Sequence, residues 1–155
     1  MTRRRWLPLD LLAVSVAMLV PLTGATAGAA APPAAEQVSQ TRKVPAEGGH
    51  YTDVSAAGLA GMLHAKTFPL VNVHIPYEGE IEPTDLFIPF DQIAAALAKL
   101  PEDKHARVVL YCRSGSMSAT AARVLVKLGY TDVWNLDGGM IAWARAGHPV
   151  ISRPR

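Results

Sequence analysis

The chain has 155 residues, enough for one domain with an appendage and too few for two full domains. Half of the residues are hydrophobic, so a sizeable core can be buried and global disorder is excluded. Three of the 15 basic side chains (Arg3, Arg4, Arg5) and one of the 13 acidic ones (Asp10) fall in the first ten residues, and the rest of the chain balances, leaving no electrostatic footprint for a nucleic-acid partner.

Residues 1–31 read as an export signal peptide. The basic cluster Arg3-Arg4-Arg5 precedes an apolar run from Leu11 to Leu22, and a small-residue tract through Ala31 offers A-x-A-like cleavage options. The apolar run covers about a dozen residues, short of the roughly 20 that a spanning helix needs. Membrane attachment is therefore expected only if the signal stays uncleaved. Thr2-Arg3-Arg4-Arg5-Trp6-Leu7 resembles the twin-arginine export signature, and general secretion fits about as well. Either route places the mature protein outside the cytoplasm, in the periplasm or secreted.

Residues 32–49 are rich in Ala, Pro, Gly and polar side chains without an apolar period, and are expected to form a flexible linker. A folded domain is expected over residues 50–151. Thr52-Asp53-Val54 is a short strand candidate, and Ser55 can cap a helix with Leu59, Met62 and Leu63 on one face. Leu70-Val71-Asn72-Val73 has the β-branched apolar character of a buried strand, and Phe87-Ile88 is a weaker one. Asp91 can cap a helix carrying Ile93, Ala96, Leu97 and Leu100, stopped by Pro101.

The clearest strand, Arg107 to Tyr111, runs straight into Cys112. A Gly/Ser loop and a helix follow, with Ala121, Val124, Leu125 and Leu128 on one stripe and Gly129 as its stop. Asp132 to Leu136 is another strand, after which Gly138-Gly139 opens a last helix through Trp143, closed by Gly147 and Pro149. Strand–helix alternation with short links implies an α/β fold with a central parallel sheet and helices on both faces.

Cys112 is the only cysteine, so neither an internal disulfide nor a cysteine-based zinc site can form. His50, His64, His105 and His148 lack ligand spacing, and no metal or cofactor is expected. The informative segment is Cys112-Arg113-Ser114-Gly115-Ser116-Met117-Ser118, set between a buried strand and a helix. In an open α/β sheet, ligands bind beyond the carboxyl ends of the strands. A small-residue loop with a glycine can turn successive N–H groups inward as an anion nest, and the helix start adds its own free N–H groups. A thiolate is the nucleophilic form of cysteine, and such a nest supports negative sulfur. Sulfur transfer, phosphate-ester hydrolysis and arsenate reduction all use this device. A cysteine-dependent phosphatase needs an arginine six residues after the cysteine to grip phosphoryl oxygens, and Ser118 stands there.

On these residues the chain resembles a single rhodanese domain from about His50 to Ile151. The matching features are the strand ending in Tyr111-Cys112, the loop through Ser118, the helix after it, and the later run Leu136-Asp137-Gly138-Gly139-Met140-Ile141-Ala142-Trp143. The resemblance implies a sulfurtransferase with Cys112 as its catalytic residue and residues Arg113, Ser114, Gly115, Ser116, Met117 and Ser118 as its substrate-binding loop. The Cys112 thiolate would take the outer sulfur of a small donor, thiosulfate or a persulfide, and a thiol or cyanide would discharge the resulting persulfide. The alternative is a persulfide carrier or sulfur-relay module with little turnover of its own, serving a redox or relay partner protein.

Two departures bear on the donor. Many active members of the family have Arg or Lys at the fifth loop position, where Met117 stands, so a less charged donor than thiosulfate is expected. The family's Asp-x-Arg element is replaced by Asn72-Val73-His74, with His74 expected as a structural hydrogen-bonding residue. The acidic segment from Tyr77 to Asp85 is expected to be a solvated surface loop, with a lid over the active-site mouth as the sharper alternative.

Overall fold

The computed structural model describes residues 40–153. The expected signal peptide and the first part of the expected linker lie outside them. Six strands form one sheet: β1 Thr41–Ala46, β2 Gly49–Val54, β3 Leu70–Asn72, β4 Leu86–Phe87, β5 Val108–Tyr111 and β6 Val133–Leu136. Their spatial order is β1-β2-β6-β5-β3-β4. All neighbours pair in parallel except β1 and β2, which form an antiparallel hairpin at one edge.

The period of two along β5 divides the core. Val108 and Leu110 face one side with Cys112, while Val109 and Tyr111 face the other. The first side is covered by α2, Ser116–Lys127, through Ala121, Ala122, Leu125 and Val126. The second is covered by α1, Ala56–Leu63, and α3, Gly139–Arg145, through Leu59, Met140 and Trp143. Helices on both faces of a mostly parallel sheet are the architecture the alternating pattern implies.

Local signals explain the helix ends. Ser55 accepts the Gly58 N–H at 3.1 Å and caps α1. At the other end of α2, Gly129 adopts φ +93°, and the Gly129 and Tyr130 N–H groups bond back to Val126 and Leu125. This pair of bonds is a Schellman closure, and it uses a conformation that a side chain would strain.

Two expectations fail. Residues 41–49, expected as linker, form β1, a Glu47-Gly48 turn and the start of β2. Val44 and Ala46 pack on the core, and Pro45 is tolerated because β1 is an edge strand. The segment after Asp91 is not an α-helix but two short 3₁₀ turns, Phe90–Gln92 and Leu97–Lys99. Its apolar residues still face inward, with Ile93 and Leu100 buried, so the pattern located the core side and misjudged the backbone. The backbone closes i→i+3 bonds, from Gln92 N–H to Pro89, Lys99 N–H to Ala96 and Leu100 N–H to Leu97, and apolar spacing alone does not choose these over α-helical bonds.

Candidate active site

Cys112 sits at the carboxyl end of β5 and is 1% exposed. The chain then turns through Arg113, Ser114 and Gly115 before α2 begins. Gly115 takes φ +91°, which aims its N–H back at Cys112 Sγ at 3.1 Å. The buried Ser118 hydroxyl lies 3.4 Å from the same sulfur and 3.1 Å from the Gly115 carbonyl oxygen. Two donors thus converge on the sulfur at the start of a helix, where free N–H groups favour negative charge. Ser114 and Ser116 are exposed, with hydroxyls 3.3 Å apart. Met117 is half-buried and packs against the cluster that holds Cys112.

The Gly138-Gly139 pair does more than open α3. A Cβ on Gly139 would lie 2.3 Å from the Cys112 carbonyl oxygen and 2.6 Å from that of Arg113. A Cβ on Gly115 would lie 3.0 Å from the Gly138 nitrogen. The Met140 and Ile141 N–H groups donate to those same carbonyls of Cys112 and Arg113, at 2.9 and 3.0 Å. The second glycine signature is therefore the floor of the cysteine loop, a role that its position in the sequence does not announce.

The acidic segment is anchored rather than freely solvated. Glu80 is 2% exposed, its backbone pairs with Ile151, and Arg153 Nε lies 3.1 Å from its carboxylate. Ile81 is fully buried, and its N–H donates to the Tyr111 hydroxyl at 3.0 Å. Burial pushes the Tyr111 phenol up to about 12. Glu78 reaches the cysteine loop, with its Oε2 3.1 Å from Arg113 Nε.

Asn72 organises the root of this segment, donating to the Gly79 carbonyl and accepting from the His74 N–H. The His74 ring does not play the hydrogen-bonding part expected of it. The ring is buried and neither nitrogen is hydrogen-bonded, although Nε2 lies 3.4 Å from Glu78 Oε2, close enough for ion pairing but off the geometry of a bond. At the same end of the sheet a cavity of about 170 Å³ is lined by Arg42, Asp53 and Asp137 among others. Beside it the buried Asp53 takes bonds from Arg42 and from Asn135 Nδ2. Trp143, on α3, is buried and stacks on His148, while Trp134, on β6, is half-buried beneath Arg107.

Comparison with known proteins settles the family. The profile of the rhodanese-like domain matches residues 70–146. A protein of Allochromatium vinosum named "Sulfurtransferase" is 42% identical over 86 residues, which cover 54% of this chain and 78% of that one. The chain belongs to the rhodanese-like family. Within it, the mitochondrial putative thiosulfate sulfurtransferase of Schizosaccharomyces pombe is 34% identical over 51% of this chain and 65% of its own. The probable adenylyltransferase/sulfurtransferase MoeZ of Mycobacterium tuberculosis is 40% identical over 52% of this chain, but that match spans 21% of MoeZ. A rhodanese-like domain protein of Staphylococcus aureus superimposes with a TM-score of 0.54 at 29% identity, covering 64% of this chain and 98% of that structure. A rhodanese-related protein of Thermoplasma volcanium gives 0.54 at 27% identity, over 64% and 96%.

Proposed function

We propose that the chain is a sulfurtransferase that carries a sulfane sulfur on Cys112. The observation that carries this reading is the convergence of the Gly115 N–H and the Ser118 hydroxyl on a cysteine sulfur at the carboxyl end of β5. The sulfurtransferase names of its relatives support it. In the first half-reaction the Cys112 thiolate attacks the outer sulfur of a donor. With thiosulfate the S–S bond breaks, sulfite leaves with the electron pair, and Cys112 holds a persulfide. In the second, cyanide or a thiol attacks the outer sulfur and the thiolate is restored. The N–H and hydroxyl donors stabilise negative sulfur in both steps.

Intact mass after incubation with thiosulfate or a low-molecular-weight persulfide tests the reading. One sulfur should be gained, lost again on adding cyanide, and never gained by Cys112→Ser; no adduct from any sulfane donor would sink it. Met117, in place of a cation, favours a second reading in which the protein relays persulfide sulfur to a partner. A stable adduct with negligible steady-state turnover would decide for the relay. The basic and apolar N-terminal segment supports action outside the cytoplasm, where a reductant or relay protein would have to protect a single reactive thiol.

A further inference from the structure

We propose that Glu78 is a specificity residue of this site. By pairing with Arg113 it cancels the single charge of the cysteine loop and biases donor choice away from doubly charged thiosulfate, towards a singly charged donor with an apolar body. The proposal rests on the sulfurtransferase reading above and names the donor class for it.

Arg113 is the only charged side chain between Cys112 and Ser118. Its Nε is engaged by Glu78 Oε2 at 3.1 Å rather than left for an incoming anion. The carboxylate is not presented by a slack loop. Asn72 Nδ2 holds the Gly79 carbonyl at 2.9 Å, immediately after Glu78. Glu80 pairs through its backbone with Ile151, and the Ile81 N–H is held by Tyr111, the residue that precedes Cys112. Gly79 itself fits where a Cβ would come within 2.9 Å of the Ile151 carbonyl oxygen, so the segment has a built path beside the loop. Met117 completes the case: it supplies half-buried apolar surface at the position where a second cation would have attracted a dianion.

A half-exposed ion pair contributes little to folding stability. Its effect on an approaching anion is a different quantity, because the field of a charge near the mouth acts over about 8–10 Å at moderate salt. Coulomb energy is linear in ligand charge. Removing one negative charge must therefore change the logarithm of the rate constant for a dianion twice as much as for a monoanion. Thiosulfate and benzenethiosulfonate make that pair of probes. Both deliver their outer sulfur to the Cys112 thiolate with cleavage of one S–S bond, releasing sulfite and benzenesulfinate respectively.

The test compares the wild type with Glu78→Gln and Glu78→Asp, measuring persulfide formation by mass and kcat/KM with both donors, cyanide as acceptor, at low and high salt. Glu78→Gln should raise kcat/KM about tenfold for thiosulfate and about threefold for benzenethiosulfonate at low salt, with both gains shrinking at high salt. Glu78→Asp keeps the charge and should hold the wild-type donor ratio within about twofold. Equal changes for the two donors, no change, or the same ratio in Glu78→Asp as in Glu78→Gln would overturn the specificity claim while a Cys112 adduct still upheld sulfur transfer. Absence of any adduct in the wild type would remove both.

Discussion

Ser118 has one hydroxyl proton and two acceptors within reach, the Gly115 carbonyl oxygen at 3.1 Å and Cys112 Sγ at 3.4 Å. The shorter contact favours the carbonyl when the sulfur is neutral, and growing negative charge on sulfur draws the proton towards it. Ser118→Ala removes that second donor and leaves the Gly115 N–H in place. Persulfide formation in single-turnover mass measurements should slow about tenfold, the low end for a hydrogen bond to a charged group because the contact is long. An unchanged rate would assign Ser118 to capping the turn alone. At the same scale, Gly139 shows why two glycines stand after β6: the backbone of α3 touches the carbonyls of Cys112 and Arg113, and no side chain fits between.

Among the elements, the acidic segment and β5 are tied through one phenol. The Ile81 N–H donates to the Tyr111 hydroxyl, which lies 2.6 Å from Thr84 Oγ1, and Thr84 in turn donates to the Ile81 carbonyl. Tyr111→Phe leaves the buried Ile81 N–H without its partner and should cost about 1–3 kcal/mol in denaturant unfolding. Burial raises the Tyr111 pKa from 10.0 to about 12, so the folded state holds the phenolic proton more tightly than the unfolded chain does. This contribution is fully present below pH 10 and is lost as pH rises through 10 to 12, because there the unfolded state binds fewer protons. Between those pH values the wild type should lose about 2–3 kcal/mol more stability than Tyr111→Phe does. Parallel stability–pH curves for the two proteins would refute this.

For the whole molecule, the β1–β2 hairpin extends the folded sheet upstream of His50. Val44 and Ala46 pack on the same cluster as Cys112, and β1 covers the edge of β2 through a register from Thr41↔Val54 to Ala46↔Gly49. Relative to a chain that starts at Gln40, one that starts at Glu47 should unfold with about 2–4 kcal/mol less stability and should associate more readily through the bared edge. Urea titration with light scattering reads both effects.

The cysteine loop, its flanking strand and helix, and the terminal glycines were legible because each is local: a β-branched run, a Gly/Ser turn and an amphipathic stripe lie in consecutive residues. The sequence by itself determined the α/β class and the family resemblance, and it singled out Cys112 as the candidate reactive centre. It did not determine β1, whose Pro45 and polar residues read as linker until an edge position made them acceptable. Nor did it determine the backbone after Asp91, where apolar spacing marks a buried face without fixing the helix type. Only tertiary structure brought Glu78 to Arg113 and Gly139 beneath Cys112. Those contacts join segments far apart in the chain, and they follow from β3 and β6 flanking β5 in register, which no single stretch of sequence encodes.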